Sequence, residues 1–262
     1  MDKRIASPVH VVVTGASSGI GSALADLYAG EGARLTLFGR DRPRLEHVAG
    51  RCRTRGVVVT TCVCDVADHE ALSAELIAAD DRAPVTHVFA NAGIGGALAM
   101  APSDGESGAV ARALFETNVV GLANTVTPLL PRMVSRRAGR IAIISSLAAY
   151  TGLPQSPAYS ASKAAARTYG EGLRRLVGPA GVSVTIVCPG FVETPMSDSL
   201  ATPRPFLVSP QDAARRIARA VANGRAELAF PWPLTAAVKA AGWLPRPIAD
   251  GLLRATYAWS RR

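Results

Sequence analysis

Short runs of β-branched and aliphatic residues alternate along the chain with longer stretches in which apolar residues return every three or four positions. Val9 to Val13, Arg34 to Phe38, Val57 to Val63, Val85 to Ala90, Arg140 to Ser145 and Val182 to Val187 predict strands. Ile20 to Ala29, Arg42 to Cys52, His69 to Ala79, Ala109 to Met133 and Ala158 to Val177 predict helices. Val11-Val12-Val13 and Ile141 to Ile144 are apolar without alternation. Strands buried on both faces read this way, as a parallel sheet covered by helices on each side demands. The expected fold class is α/β, a single-domain doubly wound parallel sheet with a C-terminal helical extension. Gly32, Gly56, Gly139 and Gly181 each stand between a helical stretch and the next strand, where a left-handed C-terminal residue is wanted.

The pattern changes after Pro189. Pro195, Pro203, Pro205 and Pro210 punctuate an irregular segment, read as a lid over about 191–210, and Pro231, Pro233, Pro245 and Pro247 break up a tail over about 230–262. No Pro-, Gly- or Ser-rich linker divides the first 190 residues, so 1–262 is expected to be one domain. Composition is that of a globular chain: 48% hydrophobic residues and 19% charged, which excludes disordered and collagen-like classes. The net charge of +9 comes almost wholly from arginine, with lysine only at Lys3, Lys163 and Lys239. These cations are scattered and no aromatic stripe accompanies them, so no nucleic-acid partner is expected. Cys52, Cys62, Cys64 and Cys188 lack ligand spacing with His10, His47, His69 or His87, which predicts buried thiols and no metal site. Met1 to Pro8 lacks the pattern of a signal peptide and no apolar run reaches the length of a membrane span, so the expected location is cytoplasmic.

Chemistry enters directly after the first strand, at Thr14-Gly15-Ala16-Ser17-Ser18-Gly19-Ile20-Gly21. Glycines there allow a tight turn and close backbone approach, and free amides at the start of the following helix favour a pyrophosphate. The spacing is G-x3-G-x-G and departs from the usual dinucleotide fingerprint. At the end of the second strand Gly39 supplies no carboxylate for a ribose 2′-hydroxyl, whereas Arg40 can pair with a 2′-phosphate, which favours NADP(H) over NAD(H). Arg40 as a solvated helix-start residue, with neighbouring Asp41 in the acidic role, is the alternative. Tyr159 and Lys163 stand four apart on a predicted helix, and Ser146 precedes the tyrosine at a strand end. Positions four apart share a helix face, and an ammonium beside a phenol favours the phenolate, so the pair suits proton exchange with an alcohol or carbonyl.

With these motifs together the chain resembles the classical short-chain dehydrogenase/reductase (SDR) family, a Rossmann-fold family, over nearly its full length. Thr14 to Gly21 matches the cofactor loop, with Gly15, Ser17, Ser18, Gly19, Ile20 and Gly21 as contacts. Asp65-Val66 matches the adenine-contacting pair, Asn91-Ala92-Gly93 the motif after strand four, and Pro189-Gly190 with Thr194 the cofactor segment after strand six. Asn118, Ser146, Tyr159 and Lys163 match the catalytic set. The resemblance implies that Tyr159 is the acid/base, that Ser146 holds the substrate oxygen and that Lys163 holds the nicotinamide ribose and lowers the tyrosine pKa. It implies that Asn118 holds a water leading from Lys163 to solvent. It also implies a homodimer or homotetramer. Ser18 stands where many NADP-preferring relatives carry a basic residue. Each assigned residue has a plainer role open to it: Asn118 as a helix-bend residue, Ser146 as a strand-end cap, Asn91 as a brace between strands.

The expected activity is oxidoreduction between a carbonyl and a secondary or primary alcohol. The substrate is expected to be lipophilic because Leu147 to Gln155, the residues after Gly93, and Met196, Leu200 and Phe206 carry few charges. The competing readings are a non-enzymatic cofactor sensor or scaffold on the same fold, and epimerase or dehydratase chemistry, which normally needs a longer substrate region. The tail combines Trp232, Leu234, Val238, Trp243, Leu244, Ile248, Leu252, Leu253, Tyr257 and Trp259 with Lys239, Arg246, Arg254, Arg261 and Arg262. Packing on its own core or a sister subunit is the leading expectation for it, and contact with a membrane surface is the alternative.

Overall fold

A computed structural model describes residues 9–30, 32–95, 106–198 and 203–259. Leu200, the segment following Gly95, and the terminal Arg261 and Arg262 lie outside the described residues, as do the side chains of Leu252, Arg254, Tyr257 and Trp259. The strands are β1 (His10–Thr14), β2 (Arg34–Gly39), β3 (Val58–Val63), β4 (His87–Ala90), β5 (Gly139–Ile144), β6 (Val182–Pro189) and β7 (Glu227–Phe230). The helices are α1 (Gly19–Tyr28), α2 (Arg42–Arg53), α3 (His69–Arg82), α4 (Gly108–Phe115), α5 (Gly121–Val126), α6 (Leu130–Arg136), α7 (Pro157–Val177), α8 (Pro195–Asp198), α9 (Pro210–Ala222), α10 (Trp232–Ala241) and α11 (Arg246–Trp259).

The strands form one parallel sheet in the order β3-β2-β1-β4-β5-β6-β7. The chain leaves β1 toward one edge and returns through β4 on its other side, so the carboxyl ends of β1 and β4 flank the switch point where doubly wound sheets bind ligands. Alternation along β1 explains its continuous apolar run. Val11 and Val13 enter a core with Leu24, Leu45 and Ile217 from α1, α2 and α9, while Val12 enters the opposite core with Leu72, Leu76 and Ala166 from α3 and α7. Both faces are dry.

Local signals account for most element ends. Asp41 and Asp68 cap α2 and α3 by accepting from the amides of Arg44 (3.0 Å) and Ala71 (3.1 Å). Gly32, Gly56 and Gly181 take positive φ as expected, but Gly139 does not. Arg137 adopts the left-handed conformation after α6 (φ 52°), and Gly139 opens β5 against Met133. There a Cβ would lie 2.5 Å from the methionine sulfur, so the position demands a missing side chain for packing rather than for backbone freedom.

Two other departures matter more. The predicted helix over Ala109 to Met133 is three helices, interrupted by a π-helical turn at Glu116–Val120 and by a break before Pro131, which lacks the amide needed to continue a helix. Beyond Pro189 there is regular structure where proline punctuation reads as irregular. Ser209 caps α9 by accepting from the Asp212 amide (3.1 Å) and Pro210 occupies its first turn, where a proline initiates a helix. Strand β7 then extends the sheet beside β6. The lid segment is tethered at both ends: Glu193 N–H donates to Val208 O (2.9 Å) and Val208 N–H to Phe191 O (3.0 Å).

Candidate active site

A cleft of about 980 Å³ opens at the carboxyl edge of the sheet. Its floor is the turn from β1 into α1. Gly21 cannot carry a side chain there, because a Cβ would overlap the Gly15 carbonyl oxygen. The helix start at Ser18 has extended backbone and no side-chain cap, which leaves first-turn amides of α1 unclaimed by a capping side chain. Thr14 and Asn91 lock this turn to β4. The Thr14 hydroxyl accepts from the amides of Asn91 and Ala92 (both 3.1 Å), and the Asn91 side-chain amide donates to the carbonyls of Thr14 (3.0 Å) and Gly15 (3.2 Å). Asn91 therefore braces neighbouring strands, its plainer role, while also lining the cleft.

At one end of the cleft the Arg40 guanidinium is paired with Asp65 (3.2 Å), both side chains well exposed. Asp65 also accepts from the Ala67 amide (3.0 Å). Asp41 is committed to capping α2 and to Arg44 (3.3 Å), so its carboxylate is already shared. Gly93, Val66, Pro189, Gly190 and Thr194 complete the predicted lining together with Gly15, Ser17, Ser18, Gly19, Ile20 and Ala92. Gly21 and Asn118 stand behind the wall rather than in it.

At the other end α7 carries Tyr159 and Lys163 on one face, with Ser146 at the close of β5 opposite them; all three line the cleft. The Lys163 amine lies 5.8 Å from the centre of the Tyr159 ring and donates to the Ile144 carbonyl (3.1 Å). Burial lowers the Lys163 pKa to about 8. Burial also raises the Tyr159 phenol above its ordinary value, and the Ser146 hydroxyl opposes that by hydrogen bonding. The downward shift implied for the tyrosine is thus absent from this arrangement, because desolvation of a phenolate dominates. Ser146 also caps the short 3₁₀ turn Leu147–Tyr150 by accepting from the Ala148 amide (3.1 Å).

Asn118 sits inside the π turn, and that turn is what aims it. Its side chain accepts from the Ile94 amide (2.8 Å) and donates to the Ile94 carbonyl (3.1 Å) and the Ser162 hydroxyl (3.0 Å). It bolts the loop after β4 to α7, one residue from Lys163. Spacing along the chain missed Leu234 and Val238, which reach the cleft from α10, as well as Arg44, Thr117 and Phe191. Only the four-residue step from Leu234 to Val238 hinted at a shared inward face. Among the described residues no group of three or more His, Cys, Asp or Glu is arranged to hold a metal. The four cysteines are unpaired, and burial raises Cys52 to about 11 and Cys62 to about 12.

Sheet order, glycine turn and a Tyr/Lys/Ser cleft at the switch point define a Rossmann-type protein of the oxidoreductase class. The sequence model of the short chain dehydrogenase family matches residues 9–205, and the chain belongs to that family. An uncharacterized oxidoreductase of Myxococcus xanthus is 37% identical over 93% of this chain and 95% of its own length. An actinorhodin polyketide ketoreductase variant solved with NADPH is 28% identical, with a TM-score of 0.75 over 85% of this chain and 95% of its own. Levodione reductase, 21% identical, shares the fold with a TM-score of 0.80 over 87% of this chain and 98% of its own.

Proposed function

We propose that the protein interconverts a carbonyl and an alcohol on a lipophilic small molecule, using a nicotinamide cofactor, with NADP(H) preferred and Tyr159 as acid/base. The observation that carries this reading is the convergence of the Tyr159 phenol, the Lys163 amine and the Ser146 hydroxyl on a cleft that also contains the glycine turn. The cofactor fits the residues present. The Gly15–Gly21 contact keeps the turn clear of side chains, the uncapped start of α1 suits a pyrophosphate, and Arg40 suits a 2′-phosphate. NADPH bound to the similar ketoreductase supports a nicotinamide cofactor. When bound, the cofactor supplies or accepts the hydride.

The chain's own residues then manage charge and protons. Ser146 and Tyr159 donate to the substrate oxygen, where negative charge grows during reduction, and a preorganised pair of donors stabilises that charge more than the ground state. Tyr159 gives up its proton to this oxygen. An alkoxide is a far stronger base than a phenolate, so a tyrosine held above its ordinary pKa remains protonated and competent as the acid. Lys163 stays largely cationic at neutral pH and would hold the nicotinamide ribose, while Asn118 holds the loop after β4 in place. Leu147, Leu153, Met196 and Leu234 give the substrate end an apolar lining.

The test is a panel of ketones, aldehydes and alcohols assayed with each cofactor by nicotinamide absorbance, on the native chain and on Tyr159→Phe. The variant should fold and bind NADPH normally while turnover falls by about 10²–10⁴-fold. Undiminished turnover rejects Tyr159 as acid/base. Tight NADPH binding with no turnover on any substrate by the native chain would instead favour the sensor reading.

A further inference from the structure

We infer that the α10–α11 tail docks the protein on the surface of an anionic phospholipid bilayer, with Trp232 and Trp243 as its interfacial anchors. All three tryptophans of the chain, Trp232, Trp243 and Trp259, fall in its last 31 residues, in α10, α11 and the turn between them. Large aromatic side chains bury area wherever the fold permits. Here Trp232 is 78% exposed and Trp243 91% exposed, with Leu244 and Ile248 exposed beside them in sequence. Helix α10 has no buried residue. Of the tail residues expected to pack on the core or a sister subunit, Leu234 does reach the core cluster of Leu147, Ile186 and Cys188, whereas Trp232 and Trp243 stay exposed on this chain.

The outward face of α10 is also arranged. Trp232, Ala236 and Ala240 follow along the helix at four-residue steps, Trp243 stands three residues further on in the turn beyond Gly242, and all are exposed. The helix is held in this orientation from beneath, where Lys239 pairs with Glu227 (2.8 Å) and its amine stands 4.9 Å from the Tyr150 ring centre. An indole presenting an apolar body and one N–H donor is the side chain that settles at a bilayer's headgroup level. A single exposed tryptophan is unremarkable, but two, one opening α10 and one in the turn that follows it, make a surface.

Charge selects the occupant. Lys239 is already paired with Glu227, and after it the sequence carries Arg246, Arg254, Arg261 and Arg262 against one acid, Asp250. Two copies meeting at this patch in a symmetric pair would oppose the same cationic tail to itself. An anionic lipid surface complements it, at a gain for each cation near the headgroups. Among the described residues no helix is long and apolar enough to cross a membrane, so the mode is surface docking. Leu234 and Val238 line the cleft from the same helix, so docking brings the cleft mouth close to the bilayer. That link to lipophilic substrates rests on the proposed function, but the docking itself does not.

The test uses the full chain and the variant Trp232→Ser/Trp243→Ser, neither position lining the cleft. Each is co-sedimented with vesicles of phosphatidylcholine alone and of phosphatidylcholine with phosphatidylglycerol, and indole emission is recorded. The native chain should sediment with the anionic vesicles and shift its emission to the blue, and should bind the zwitterionic vesicles far less. The variant should bind the anionic vesicles roughly tenfold weaker or worse, with its unfolding midpoint unchanged. A native chain that stays in the supernatant overturns the proposal, as does a variant that sediments equally well. If the native chain ignores vesicles and sedimentation velocity shows the substitutions turning a dimer into a monomer, the face belongs to a second copy instead. Because no step requires turnover, the result is independent of whether a substrate is found.

Discussion

Replacing Lys163 with methionine should make the protein more stable at neutral pH and nearly inactive. The amine is buried, and its pKa falls from 10.5 to about 8 because the interior disfavours the ammonium. Below about pH 8 folded and unfolded chains both hold the proton, and the fold bears the whole penalty. At about 1.36 kcal/mol for each tenfold step, the gap between the two values amounts to roughly 3 kcal/mol. Between about pH 8 and 10.5 the unfolded chain binds more protons than the folded one, so this contribution makes stability rise with pH until the penalty vanishes. Methionine fills similar space without charge but leaves the Ile144 carbonyl without its donor, at a cost of about 1 kcal/mol. The net expectation is a gain of roughly 2 kcal/mol at neutral pH, shrinking to nothing or reversing near pH 10. Urea unfolding of both proteins across that range, at one protein concentration, measures the difference, and groups common to both cancel. A variant less stable at neutral pH, or a difference flat with pH, would refute the reasoning.

Other consequences follow from particular pairs. Arg40→Ala should weaken NADPH binding by about tenfold to a hundredfold, as loss of a charge-assisted contact implies, with little change for NADH. Asp65→Asn should raise the NADPH-to-NADH preference, because it neutralises the carboxylate now paired with Arg40; an unchanged ratio of KM values in both variants counts against Arg40 as the phosphate partner. Far from the cleft, Asp80 is buried and accepts from Arg136 (2.7 Å), Arg132 (3.1 Å) and the Val85 amide (2.8 Å). Burial resists its ionisation, but these donors outweigh it and hold the carboxyl below 3.8. Asp80→Ala should cost about 3 kcal/mol in urea unfolding, the low end for a buried pair because both arginines reach solvent. That cost should be constant through neutral pH and fade as acid protonates the native carboxylate; NADPH affinity should not change.

How far the chain could be read before its fold was known depended on the range over which each signal acts. Strands β1, β2, β5 and β6 were legible to within two residues, β1 and β5 because a strand buried on both faces leaves a continuous apolar run, β2 and β6 because β-branched and aliphatic residues dominate them. Tyr159 and Lys163 were legible because a helix fixes the relation of positions four apart, and one lysine among many arginines stands out. Helix α9 and strand β7 were not, because proline was read as a breaker when Pro210 starts a helix. The partnership of Asp80 with Arg132 and Arg136 spans more than fifty residues and leaves no local pattern. Asn118 lies between these cases. Its identity marked it, but it stands in a π turn that periodicity reads as ordinary helix. The plain and the functional readings of such residues are therefore one physical fact. Asn91 braces strands, Ser146 caps a turn and Asn118 stands in a helix bend, and each of these bonds holds a wall of the cleft that Tyr159 lines.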